Sequence, residues 1–435
     1  MDVNRKAAYF ALMDIESKKA YSNIVLNNKK FRNKLTSPAF ATELVYGVLE
    51  NKILLDYIID HIVPTGSESM KADARMVLRM GIYQVGYMQS VPEYAAVNES
   101  VDLAKRVCRG KEGFINASLR TYIKEKDNIK LPDRNCDEVR YLSIKYSYEP
   151  WIIEMWLDEY DKEFVEELLE AGNSRPGFVI RVNWLKILIE DFIKRLEAAG
   201  CTVEKGKLYS GALYIKNGFS LIGGPMFEQG LFSIQDEASM VAAAVLDPQH
   251  GDVVMDVCAA PGGKTMTIAE RMSNKGKIIA SDIYIRKIGR INNEAKRLGI
   301  TIVETKTWDA TKVNPEMVEK ADRVLVDAPC SGLGTIRRKP EIKYKKKTHE
   351  MDNLPAKQLH ILSSSAKYVK PGGTLVYSTC TINPNENQKV IADFLRKNTQ
   401  FTKEEAIQLM PNVNGTDGFF ICKMKKAKAE IGVNI

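Results

Sequence analysis

Three successive hydrophobicity patterns predict a multidomain chain: an all-α region over 1–128, a small α+β module within 138–235, and an α/β domain with a mostly parallel, doubly wound sheet over 236–428. In the first pattern apolar residues recur three and four apart, as in KAAYFALMDIESKKAYSNIVL and FATELVYGVLENKILLDYIIDHIV. The second is a strand–helix–strand run, and the third alternates short apolar runs with amphipathic segments. A length of 435 residues suits two or three domains, because one domain usually takes ~100 to 200.

The helical series continues through DARMVLRMGIYQVGYM. QSVPEYAAVNES reads as a loop with Asn98 or Ser100 near the next helix start, and VDLAKRVCRG ends that helix at Gly110. KEKDNIKLPDRNCDE reads as a linker. A helix pair is expected from 138 to about 172, with Pro150 in a first turn. FVIRVNW (178–184) predicts a strand, IEDFIKRLEAAG (189–200) a helix stopped by Gly200, and ALYIKNG (212–218) another strand. Beyond 250 the runs VVMDVCA, KIIASDI, ITIVETKTWD, RVLVDAP and TLVYSTC predict strands of βαβ units, with helices such as IRKIGRINNEAKRLG and LPAKQLHILSSSAKYVK between them. DGFFICKMKK is expected to add an edge strand.

The composition, 45% hydrophobic and 27% charged, is that of a soluble globular protein. No run approaches the ~18 apolar residues of a membrane span, and MDVNRKAAYFALMDIESKK is too charged for a secretory signal, so a cytoplasmic location without membrane attachment is expected. Cysteines 108, 136, 201, 258, 330, 380 and 422 are scattered and form no CxxC, which argues against disulfides and a metal site. A net charge of +8 is compatible with a nucleic-acid partner.

VVMDVCAAPGGKT (253–265) is a buried strand ending in small residues and a Gly-Gly turn that opens a helix, where a ligand can approach the backbone. A phosphate loop would need Gly where Cys258 stands, and the GxGxxG fingerprint is also missing. Instead Asp282, Asp309 and Asp327 follow the ends of later strands, where ligands of such sheets bind. Asp282 is spaced from the turn to accept hydrogen bonds from a ribose diol, and acidic company suits a cationic sulfonium. S-adenosylmethionine fits best. Each aspartate alone could instead be a helix N-cap.

Cys330 and Cys380 follow strand ends of the same sheet, in DAPCSG and YSTCTINPNEN. An isolated cysteine is commonly a small buried hydrophobe. Both of these lie among turn residues on the ligand edge, which favours a reactive role. A thiol beside a methyl donor suits methylation of a poorly nucleophilic carbon: addition at C6 of cytosine turns C5 into an enamine carbon. Asp327 is a candidate to hold the ring. Between the thiols, GTIRRKPEIKYKKKTHE carries Arg337, Arg338, Lys339, Lys343, Lys345, Lys346 and Lys347 against Glu341, a run placed to bind phosphates. RNA with an unstacked base is the natural substrate. Which thiol attacks stays open at this point.

DVCAAPGGKT, DAPCSGLGTIRRKPEIK, LVYSTCTINPNEN and FSIQDEAS resemble the RNA (cytosine-5) methyltransferases, in particular the bacterial Sun or Fmu branch that modifies 16S ribosomal RNA. MVLRMGIYQ, VPEYAAVNESVDLAK and GFINASLR resemble its NusB-type RNA-binding domain, and RPGFVIRVN its middle module. The resemblance implies a NusB-like helical domain, a ferredoxin-like (RRM-like) module and a Rossmann-like catalytic domain in a monomeric enzyme. It implies cofactor contacts from Cys258, Ala259, Ala260, Pro261, Gly262, Gly263 and Lys264, completed by Asp282, Asp309 and Asp327. It also implies that Cys380 attacks and Cys330 assists release, with 16S rRNA, free or in a partly assembled subunit, as substrate. SPAFATELVYGVLEN lacks the Asp-Arg and closing Arg of the family pattern, so weaker RNA contact by that helix is expected. Another RNA such as tRNA, or a non-catalytic assembly role, are the alternatives.

Overall fold

The computed structural model describes residues 2–18, 20–28, 31, 35–218, 221–344 and 352–428. Contacts divide the chain into two compact units: residues 1–174 with 336–347, and residues 175–335 with 348–435.

The first unit is helical. Its helices Val3–Lys18, Pro38–Glu50, Lys52–Ile62, Ala72–Tyr87, Glu93–Val107 and Glu112–Glu125 turn their apolar stripes into one core that includes Leu12, Leu44, Leu55, Val77, Ile82 and Leu119. The expected helix start near Asn98 or Ser100 is corrected: the helix begins at Glu93, behind Pro92. Ser100 is buried in mid-helix, its hydroxyl donating to Ala96 O at 2.7 Å, so a polar residue that resembled a cap satisfies itself on the preceding turn. From 138 there are three helices rather than a pair, Glu138–Tyr146, Pro150–Leu157 and Lys162–Asn173. Asp137 and Asp161 cap the first and third through the amides of Arg140 and Phe164, and Pro150 sits in the first turn of the second.

The second unit holds two sheets. The smaller is antiparallel, in the order β2 (Thr202–Lys205), β3 (Ala212–Lys216), β1 (Phe178–Val182), β4 (Phe232–Ile234). The helix Ile189–Ala198 buries Phe192 and Leu196 with Ile180, Leu213 and Phe232. The larger sheet has seven strands: β5 (Val253–Val257), β6 (Lys277–Asp282), β7 (Val303–Thr307), β8 (Ala321–Asp327), β9 (Val369–Thr379), β10 (Phe401–Leu409) and β11 (Phe419–Lys426). Their order is β10-β11-β9-β8-β5-β6-β7, parallel from β9 through β7, with β11 antiparallel to both neighbours. One face is packed by Ala238, Ala242, Met266 and Ile291, the other by Ile361, Leu362 and Phe394, as a doubly wound sheet requires.

DGFFICKMKK is not at the edge. Its strand β11 lies inside, with Phe419 to Cys422 all buried, and the edge belongs to the largely exposed β10. An apolar strand needs cover on both sides, whereas FTKEEAIQL tolerates water.

Register then positions the site. Val257 pairs with Ser281 and Val326, and Asp327 pairs with Ser378. Cys258, Asp282, Asp327 and Cys380 therefore emerge together at the carboxyl edge of adjacent parallel strands.

Candidate active site

After β5 the chain turns through Cys258 (φ 70), Ala259, Ala260 and Pro261 to Gly262 (φ 109), and the helix Gly263–Arg271 follows. The positive φ at Gly262 excludes most side chains, and a Cβ there would also meet Ile291 at 3.4 Å. The turn is anchored by Ala259 N donating to Ser281 O at 2.8 Å and Gly262 N to Ala259 O at 2.8 Å. Burial pushes the Cys258 thiol up to about 12, and Asp327, Asp282 and Asp256 add to that rise, so Cys258 is a neutral side chain ringed by carboxyl groups.

Lys264 gives its ammonium to Asp327 Oδ2 at 2.7 Å and lies over the Phe419 ring at 4.8 Å. Asp327 also accepts from Ser378 Oγ at 2.9 Å. Asp282 accepts the amide of Tyr284 at 3.0 Å, and Asp309 accepts the amide and hydroxyl of Thr311 at 3.0 and 2.7 Å, which hold its carboxyl below the usual range. These aspartates shape turns rather than cap helices. Asp256 is fully buried beneath the turn, takes a hydrogen bond from Thr265 Oγ1 at 2.6 Å, and is pushed up to about 7 by burial. Its Oδ1 has no partner among the described residues.

This donor set fits S-adenosylmethionine. The carboxyl groups around Cys258 favour a cationic sulfonium and a ribose diol, whereas a pyrophosphate would meet carboxylates and find Lys264 already occupied by Asp327. Among the described residues no group of three or more His, Cys, Asp or Glu is arranged to hold a metal ion, and no helix is long and apolar enough to cross a membrane.

The two thiols meet. Cys330 Sγ and Cys380 Sγ lie 3.3 Å apart, and no disulfide joins them. The hydrogen bond to Cys380 and then burial raise Cys330 well above the ordinary thiol range, and either sulfur can be the donor of the pair. Gly334 N donates to Cys380 O at 3.0 Å, and a Cβ on Gly334 would stand 1.9 Å from Gly418 O, so only glycine lets these chains pass.

The basic loop departs from expectation. Its described part folds as the turns Leu333–Arg338 and Pro340–Tyr344, with Ile336, Pro340 and Ile342 buried, and none of residues 335–344 is fully exposed. Arg337 is 9% exposed, and Arg338 and Lys339 are half-buried, Lys339 lying over the Tyr21 ring at 5.2 Å. Lys343, expected at a phosphate, is sealed inside the helical unit: its ammonium donates to Glu50 O (2.7 Å), Tyr146 O (3.1 Å) and Asn173 Oδ1 (2.8 Å). With all three donors used, it reaches no phosphate. The apolar residues between the charges are what draw the segment inward. Lys345, Lys346 and Lys347 lie outside the described residues.

Sequence reasoning missed two supports. Arg181 on β1 is buried, paired bidentately with Glu270 at 3.0 and 2.9 Å, and it donates to Gly263 O, Thr267 Oγ1 and Gln235 Oε1, so the small sheet grips the glycine turn. An arginine inside the apolar run FVIRVN was the available signal. The second is Glu386, buried behind the thiols in INPNEN, a stretch that reads only as a turn.

Comparison with known proteins agrees with this architecture. A family described as 16S rRNA methyltransferase RsmB/F matches residues 243–425, the NusB family matches 2–124, and the ferredoxin-like domain of RsmF/B-like methyltransferases matches 148–221. The Bacillus subtilis protein named "Probable ribosomal RNA small subunit methyltransferase B" is 38% identical over 97% of this chain and 98% of its own. The crystal structure of PH0851 superposes with a TM-score of 0.82 at 29% identity, covering 98% of this chain and 99% of that one. NSun6 from Pyrococcus horikoshii, solved with SFG, gives a TM-score of 0.58 at 25% identity over 64% of this chain and 98% of its own. With a NusB-like helical domain, a ferredoxin-like module and a mixed-sheet methyltransferase domain in one chain, this protein belongs to the RsmB/F family of rRNA methyltransferases.

Proposed function

We propose that this protein methylates C5 of a cytosine in 16S rRNA, with Cys380 as the attacking thiol and Cys330 assisting release. The carrying observation is the pair of sulfurs 3.3 Å apart at the carboxyl edge of the sheet, beside Asp327. The two sulfurs share one hydrogen bond, so a thiolate on one is stabilised by the S–H of the other, and the family resemblance assigns that thiolate to Cys380. Its addition to C6 places electron density on C5. S-adenosylmethionine, the cofactor of this methyltransferase family, supplies the methyl group to that carbon when bound. Loss of the C5 proton then restores the double bond and expels the thiolate, the step that Cys330 assists.

Cys258 to Lys264 with Asp282 and Asp309 are read as the cofactor site, and Asp327 as the residue shared with the base. Its contacts with Lys264 and Ser378, which hold the carboxylate in one orientation, support that reading. The RNA reading rests on the family and on charge, with Arg337, Arg338 and Lys339 as the remaining described cations of the loop. A monomer in the bacterial cytoplasm completes the reading.

Labelled methyl transfer from S-adenosylmethionine to unmethylated 16S RNA is expected for the wild type and is expected to fall at least about 1,000-fold in Cys380→Ala. Full activity of that variant rejects the nucleophile, and transfer to tRNA instead of 16S RNA rejects the substrate. Cys330→Ala is expected to accumulate a protein–RNA adduct that survives denaturing gels; a clean gel counts against its role in release.

A further inference from the structure

We propose that Glu386 is the positioning residue that sets the spacing of the two thiols. It is 1% exposed, and both carboxylate oxygens are saturated by neutral donors. Oε2 accepts from Ser331 N and Gln358 Nε2, each at 2.9 Å, and Oε1 from Ser331 Oγ at 2.5 Å and Asn383 Nδ2 at 2.9 Å. These four bonds reach both flanks of Cys330, because Gln358 Nε2 also donates to Pro329 O at 3.0 Å. The other thiol is held by the same stretch. Ser331 Oγ pairs with Thr381 Oγ1 at 2.7 Å, and the neighbouring Asn387 accepts from Thr379 Oγ1 at 2.6 Å while donating to Thr381 O at 3.0 Å. Tyr377 OH donates to the Glu386 backbone carbonyl at 2.7 Å, which holds the chain at that residue.

The chain flanking either cysteine therefore cannot shift without breaking a bond that leads to residues 386–387. The requirement is for an anion: four donors converge on two oxygens, and an amide in the same place would point its own NH2 at one of them. Glu386 touches neither sulfur in these bonds. It acts through Ser331, Thr381 and Gln358.

The inference rests on the two-thiol reading of the site, and the test separates the two. In the full-length chain, the rate at which diamide oxidises Cys330 and Cys380 to a disulfide, itself being reduced to the hydrazine, reports their proximity without RNA or cofactor; peptide mapping excludes the other cysteines. Glu386→Gln is expected to slow this capture at least about tenfold and to lower kcat about 100-fold with KM for RNA little changed, as for a misplacement of ~1 Å. Glu386→Asp, which keeps the charge, is expected to recover part of both. Should Glu386→Gln fail to fold, Ser331→Ala, which leaves three of the four donors, is expected to show the same pattern at several-fold. A capture rate equal to wild type in a folded variant overturns the positioning role even if activity falls. Retained activity in Cys380→Ala overturns the two-thiol reading and leaves the capture result to judge Glu386.

Discussion

Arg181 and Lys343 are both sealed inside this protein, on different terms. Arg181, in the sheet-bearing unit, faces Glu270 through two parallel hydrogen bonds, with both side chains at zero exposure. Lys343, in the helical unit, is equally buried but donates only to carbonyl and amide oxygens, with the Tyr148 ring 4.6 Å from its ammonium. A guanidinium matched to a carboxylate stays charged at any working pH. A lysine bonded only to neutral oxygens has no carboxylate in direct contact, and burial, partly offset by the Glu50 charge, pushes Lys343 down to about 7. Burial likewise pushes Glu50, near Lys343, up to about 7. Arg181 is thus an internal clamp and Lys343 a titratable stem, although the helical unit has a clamp of its own in Arg79, paired bidentately with Asp56 at 2.7 Å.

The largest effect is expected at the clamp. Arg181→Ala leaves Glu270 buried without its partner and removes one donor from the Gly263 carbonyl, so it should destabilise the sheet-bearing unit by about 3–5 kcal/mol, read as a lower urea midpoint. Arg181→Lys should recover little, because one ammonium cannot replace the bidentate fork. A loss under about 1 kcal/mol would show that the pair is dispensable.

A smaller effect, but a pH-dependent one, is expected at the stem. With a folded pKa near 7 against an ordinary 10.5, Lys343 is deprotonated in the folded chain and protonated in the unfolded one between those values. Stability of the helical unit should therefore rise with pH across that window, on the order of 1 kcal/mol per pH unit. Lys343→Met, which keeps the apolar stem, should flatten the rise, as hydrogen exchange of the helices Pro38–Glu50 and Lys52–Ile62 would report. It should leave RNA affinity unchanged, and a loss of affinity would restore the phosphate-contact expectation. The smallest effect belongs to Glu50. Its raised pKa makes the folded chain bind the extra proton between 4.5 and about 7, so stability falls as pH rises there, and Glu50→Gln should remove that fall.

The same contrast separates what could be read in advance from what could not. The strand ends bearing Cys258, Asp282, Asp327 and Cys380 were legible, because a parallel strand buried on both faces is a run of apolar residues that stops where the ligand edge begins. β10 was not legible, because FTKEEAIQL is mostly exposed and its lysine and glutamates read equally well as a helix. Ser100 looked like a cap and is mid-helix; Lys343 looked like a surface charge and is core. In each case the local residue type allowed both states, and only packing chose.

Sequence by itself determined the helical, α+β and doubly wound parts, the glycine turn, and the two thiols as candidates, since all of these follow from periodicity and from residue types fixed along the chain. The tertiary structure alone decided that the thiols lie 3.3 Å apart, that Glu386 joins their two loops, and that Arg181 holds the glycine turn. Such contacts link residues 50 or more positions apart in the chain, and pairing over that distance is fixed by strand register and burial rather than by any local pattern.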